Sequence, residues 1–191
     1  MISPFFDYEG RVVSLLGRID SSHIDVLADQ LLRLETESDE PITLYISSTG
    51  GNLIDALKIV DVMNTLQSHV TAIAMGLVQG AGVLIFATAA ERLILPNALL
   101  ATTGLWTMPG LELAPPSGFG SLGSHPRETL RTHLEAQVDQ LSSPILARLV
   151  REAAGSPRLF TAEQAVALHL ADAIAPRRKS IEEPKPIRHV R

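Results

Sequence analysis

The chain has 191 residues, 46% hydrophobic and 19% charged, enough to bury a single core and too apolar to be disordered throughout. It has no cysteine, which excludes a disulfide framework, a thiolate metal site and a cysteine nucleophile, and fits a cytoplasmic protein. A formal charge of -5 argues against nucleic acid as partner, because phosphate contacts need clustered Lys and Arg.

The opening MISPFFDYEG lacks the basic start and apolar run of a signal peptide, so residues 1–10 are read as a short arm. Arg11–Leu16 reads as a strand. Ser22 with Asp25 resembles a helix start, and Ile24, Leu27, Leu31 and Leu34 follow at helical spacing. After a polar turn at Ser38–Pro41, Ile42–Ser47 is a strand broken by Thr49-Gly50-Gly51. A helix from Asn52 to Leu66 turns Ile54, Leu57, Val60 and Val62 or Met63 to the core.

Val70–Ala90 carries no formal charge and is as long as a bilayer span of roughly 20 residues. It divides at its glycines into a strand, Val70–Met75, and a helix, Gln79–Ala90. A buried strand followed by a buried helix has the same hydropathy as a membrane span, so no membrane partner is expected. Leu93–Leu95 and Ala98–Thr103 are further strands. Thr107–Gly123, rich in Gly and Pro, reads as a loop. His125–Ala154 reads as one long helix. Thr161 and Gln164 form a capping box for a last helix, Ala162–Leu170, before a strand at Ala171–Ala175. The charged tail from Pro176 reads as disordered. Strands alternating with helices predict an α/β fold on a parallel sheet.

Two glycine-rich turns follow strands: Ser47–Gly51 and Gly76–Gly82. In a parallel sheet both lie at one edge, where ligands bind. Their backbone N–H groups suit an oxyanion or a phosphate, although the first also reads as a plain β–α turn. Neither has a dinucleotide or P-loop spacing. The six histidines, His23, His69, His125, His133, His169 and His189, have no zinc-ligand spacing, so no metal or cofactor is expected.

The segment ITLYISSTGG at Ile42–Gly51 resembles the strand and turn of the Clp protease proteolytic subunit, whose usual form is Y-I-N-S-P-G-G. Gly76–Gly82 stands where that family has its nucleophile turn. Leu95-Pro96-Asn97 matches the L-P-N before its histidine strand, and Phe160-Thr161-Ala162 with Leu170-x-Asp172 resembles its F-x-S-A and L-V-D. The similarity covers Arg11 to Pro176. It implies a ClpP/crotonase-like fold: repeated β-β-α units in a spiral, a parallel sheet and a long handle helix. The head would comprise residues 11–124 and 155–176, the handle 125–154 and a disordered tail 177–191.

The family's chemistry is that of a Ser-His-Asp peptidase. The resemblance puts Gly80 in the nucleophile slot (Ala81 if the register slips by one), Thr103 in the histidine slot and Pro157 in the aspartate slot. None of these side chains does the work of the triad. Gly50 and Gly51 keep the oxyanion turn, with the backbone N–H of Ala81 as second donor. The resemblance therefore implies a non-catalytic ring subunit of the ClpR type. Its partners would be copies of itself in a heptameric ring, two such rings stacked, or an active ClpP paralogue. The family's docking cleft for a Clp-type AAA+ unfoldase uses strand tyrosines. Tyr45 fits one, and Thr43 replaces another. Two other readings compete: a peptidase whose catalytic residues have moved to Ser47, Ser48, Thr103 or His125, and a crotonase-type acyl-CoA enzyme using Gly80-Ala81-Gly82 and Met108-Pro109-Gly110.

Overall fold

The computed structural model describes residues 9–102 and 158–176, together with Thr132 and Ala136, both helical and exposed. The expected loop at Thr107–Gly123, the tail 177–191 and, apart from those two positions, the handle 125–154 lie outside the described residues.

Strand β1 (Val12–Leu16) leads into α1 (Ser21–Glu37) and β2 (Ile42–Ser48), which pairs parallel to β1 from Val12–Thr43 to Leu16–Ser47. Ile24, Leu27, Ala28, Leu31 and Leu34 of α1 are buried, the three-and-four spacing of a one-sided helix. Each fully buried Leu or Ile stabilises the fold by roughly 1.5–3 kcal/mol. Asp20, earlier than the expected start at Ser22, caps α1 by accepting from the N–H of His23 at 3.1 Å. The polar end of α1 is held by Arg11, whose guanidinium donates to the carbonyls of Leu34, Ser38 and Glu40 and to Ser68 Oγ. A planar fork with several donors suits such a cluster of carbonyl oxygens.

Helix α2 (Leu53–Thr65) is capped by Asn52 Oδ1, which accepts from Ile54 and Asp55. It buries Met63, one of the two alternatives left open by the periodicity, while Val62 packs at the margin of the core. Ile54, expected to face the core, is exposed, and Leu53 is buried in its place. The buried stripe runs through Leu53, Ala56, Ile59, Val60 and Met63 at three-and-four spacing, which leaves Ile54 off that face.

Strand β3 (Val70–Gln79) is longer than the expected Val70–Met75. Gly76, at φ 60, bends it without ending it. Before the bend, Thr71–Ala74 pairs with β4 (Glu91–Ile94); after it, Leu77–Gln79 pairs with β5 (Leu99–Thr102). The register against β2 slips across the same point, with Ile46 opposite Ala74 and Ser48 opposite Val78. A bulge of this kind re-aims the strand end. The next helix, α3 (Ala81–Thr88), therefore starts later than the expected Gln79, because Gln79 still pairs with Ala101. Every residue of α3 from Ala81 to Ala87 is buried, so this helix is central.

The C-terminal part returns to the same sheet. Strand β6 (Arg158–Phe160) pairs with β5 antiparallel, the one departure from the expected parallel pairing among the described strands. Helix α4 (Ala162–Ala167) opens on the expected Thr161–Gln164 capping box. It ends before the expected Leu170, because His169 takes a φ of 55 and the N–H of Leu170 turns back to the Ala165 carbonyl at 2.8 Å. Strand β7 (Ala173–Ile174) is shorter than the expected Ala171–Ala175. The main path of the sheet is β1-β2-β3-β4-β7, with β5 and β6 branching from the far half of β3.

Candidate functional site

The β2–α2 and β3–α3 turns meet at the C-terminal edge of the sheet. At Gly80 the chain passes from strand to helix in a single residue, with φ 57 and ψ −125. A sharp, strained strand-to-helix elbow of this kind presents the nucleophile of a hydrolase. Here the elbow residue is glycine, which adopts the conformation without a Cβ penalty. The Gly80 N–H bonds the Ala101 carbonyl at 3.2 Å, and its carbonyl accepts from the N–H of Val83 at 3.0 Å. Helix geometry leaves the N–H groups of Ala81 and Gly82 without partners inside α3. They carry the partial positive charge of the helix start.

Gly50 packs directly against this elbow. A Cβ at Gly50 would lie 2.9 Å from the Gln79 carbonyl oxygen and 3.4 Å from the Ala81 nitrogen, at a φ of 83. Gly51 is closed off on the other side by Ile19: a Cβ there would stand 2.1 Å from the Ile19 carbonyl oxygen. Ile19 donates to the Gly50 carbonyl and accepts from the Asn52 N–H, both at 3.0 Å. The bridge uses Gly50 and Asn52, so the N–H of Gly51 points away from Ile19. The Gly50 N–H is itself used, donating to Ser48 Oγ at 3.1 Å. Gly50 thus supplies the close approach between the two turns of this cradle, and Gly51 and Ala81 stand next to that contact.

The residues Gly50, Gly51, Gly80 and Ala81 are thus brought together. Thr103, Pro157 and His125 lie outside the described residues, as does Met108-Pro109-Gly110. Ser48, one of the alternative nucleophiles, is buried, and its oxygen accepts the Gly50 N–H. Ser47 is half-buried, and its Oγ would lie 3.1 Å from a Cβ at Gly76. Among the described residues no imidazole hydrogen-bonds to either serine. Thr43 and Tyr45 are half-buried and alternate along β2 with the buried Ile42, Leu44 and Ile46. His23 pairs with Asp20 at 2.9 Å on the surface, away from the cradle. Bonds from Ser22 and His23 hold the Asp20 carboxyl at about 2. Among the described residues no group of three His, Asp or Glu could hold a metal ion, and no helix is long and apolar enough to cross a membrane.

Sequence reading missed two features of this region. The Ser48 side chain anchors the oxyanion-type turn, and the signal for it was a hydroxyl two residues before a glycine. Thr102 at the end of β5 is buried, yet its Oγ1 has no hydrogen-bond partner. No periodic signal marks such an orphan.

The profile of the Clp protease family matches residues 7–103. The ATP-dependent Clp protease proteolytic subunit of Streptococcus mutans is 36% identical over 91 residues, 46% of this chain and 46% of that protein. The same subunit of Leuconostoc citreum is also 36% identical over 91 residues, with the same coverage. The matched stretch thus spans about half the length of each relative. ClpP1 from Listeria monocytogenes superposes with a TM-score of 0.70 at 22% identity, over 90% of this chain and 94% of that one. A point mutant of the same Listeria protein superposes at 0.72 and 21% identity, with the same coverage. At this identity the two structures bear on the fold, which is that of ClpP.

Proposed function

Because the chain belongs to the Clp protease family, we propose that it is a non-catalytic ring subunit of a Clp-type protease complex. The observation that carries this reading is Gly80. The residue at the strand-to-helix elbow has no atom with which to attack a carbonyl. The Thr103 and Pro157 side chains cannot replace the general base and its orienting carboxylate.

The cradle keeps a different capacity. The N–H groups of Gly51 and Ala81 can hold a peptide carbonyl as an oxyanion hole does, without forming an acyl-enzyme. On this reading the subunit binds an extended peptide in the chamber and leaves cleavage to an active paralogue. Segment 125–154 would serve as the handle between stacked heptameric rings, with residues 11–124 and 155–176 as the head. Docking of an AAA+ unfoldase on the Tyr45 face belongs to the same proposal, as does a cytoplasmic location. No cofactor takes part.

The test has two parts. The purified chain is expected to leave a fluorogenic peptide uncut, whereas an active Clp subunit assayed beside it cuts it. In native mass spectrometry it is expected as a multiple of 20.6 kDa, alone or mixed with that subunit. Peptide turnover, or a monomer both alone and in the mixture, would contradict the proposal.

A further inference from the structure

Helix α1 and strand β1 do not close completely on one another. Between them is a cavity of about 130 Å³, walled by Leu15 and Leu16 of β1 and by Val26 and Leu27 of α1. Leu15 and Leu27 are each 2% exposed, and Val26, at 47%, stands on the rim. An apolar cavity of roughly 150 Å³ takes up a benzene ring, so this one suits a ligand of that class.

The polar groups that α1 brings to the cavity stand at two ends of one stripe. Ser22 and His23 belong to its first turn, and Gln30 follows His23 by seven residues, roughly 10 Å along the helix axis. The two ends differ in what they need. Ser22 Oγ donates to Asp20 Oδ1 at 2.6 Å, and His23 Nδ1 pairs with the same oxygen at 2.9 Å. Both residues are exposed, so water serves their remaining polar atoms. Ser14, which also borders the cavity, is already bonded. Gln30 Oε1 is buried and has no hydrogen-bond partner. A buried acceptor without a donor costs free energy, and a ligand that brings the donor recovers it.

We propose that the cavity between β1 and α1 binds a small, neutral, single-ring phenol. The ring packs among Leu15, Leu16, Val26 and Leu27, and the hydroxyl donates to Gln30 Oε1. The cavity lining holds no Lys or Arg, so an aromatic carboxylate would find no fixed positive charge beside Gln30. A plain hydrocarbon ring would fill the space and leave the Gln30 acceptor as it is. The site does not depend on the non-catalytic reading of the Gly80 elbow.

Ligand-observed saturation-transfer NMR on the full native chain tests this, with phenol and benzene as the two probes. Phenol is expected to bind saturably at roughly millimolar concentration. It is expected to bind about tenfold more tightly than benzene, the worth of one well-made hydrogen bond to a buried acceptor. Equal binding of the two probes, or no saturable binding of phenol, overturns the proposal, and this comparison needs no variant to fold. Gln30→Met removes the acceptor at nearly constant shape and is expected to bind both probes alike; a preference for phenol that persists overturns the assignment to Gln30. Val26→Trp puts a large side chain on the exposed rim and is expected to weaken both probes. Phenol binding unchanged in that variant would mean a site elsewhere on the chain and overturns the proposal as well.

Discussion

Arg92 and Asp172, eighty residues apart, are joined by three hydrogen bonds: the backbone N–H, Nε and Nη2 of Arg92 all donate to the Asp172 carboxylate, at 2.6–3.1 Å. In return the Asp172 N–H donates to the Arg92 carbonyl at 2.7 Å. This clamp fixes the short β7 to β4, where only two residue pairs form the ladder. The Arg92 hydrogen bonds hold the Asp172 carboxyl below its ordinary value of 3.8.

A carboxyl with a lowered folded pKa contributes stability at pH above its unfolded value. That stability fades as pH falls through the folded value, because the unfolded chain takes up the proton first. The contribution is therefore expected at neutral pH and lost only below about 3.8. Asp172→Asn removes the charge and should cost about 1–2 kcal/mol at pH 7, less than a fully buried pair because the carboxylate is partly solvated. Urea unfolding at pH 7 and at pH 3 checks this: the gap between native and variant should narrow at the lower pH.

The elbow glycine makes a second prediction. At φ 57 and ψ −125, any side chain at Gly80 is strained, by about 1–3 kcal/mol. Gly80→Ser should therefore lower stability by that amount. A catalytic serine at such an elbow would carry the same strain for the sake of reactivity. Gly51→Ala should do more damage, since its Cβ would meet the Ile19 carbonyl and force the bridge apart. Thermal unfolding of both variants should give the larger Tm drop for Gly51→Ala.

Thr102 predicts a change of opposite sign. Its hydroxyl is buried without a partner, and valine has nearly the same shape. Thr102→Val should raise stability by about 1 kcal/mol, since it removes an unsatisfied polar group and leaves no cavity. The urea midpoint should rise with an unchanged slope.

The parts of the fold that were legible are those in which a local pattern and the tertiary need coincide. The spacing of Ile24, Leu27, Leu31 and Leu34 marks a helix because one face must be buried, and that face is buried. Thr161 and Gln164 mark a helix start because their bonds are local, three residues apart. The β3 boundary was misread for the converse reason. Gly76 looks like a strand end, and only pairing with both β4 and β5 carries the strand on to Gln79.

At the site, the glycines could be read because a tight turn demands them. Their contact could not, because it depends on how two β–α turns pack side by side. The Gly50–Ser48 bond is likewise a matter of which way one N–H points. Arg11 and Asp172 were outside the reach of periodicity altogether, since their partners lie 23 to 80 residues away.

On the proposed function, this chain carries no activated serine. Incubation of the purified chain with a fluorophosphonate, followed by intact mass, tests it directly. An unmodified 20.6 kDa chain is expected beside a fully labelled active Clp subunit. A stoichiometric adduct would contradict it, and mapping the modified peptide would identify the nucleophile.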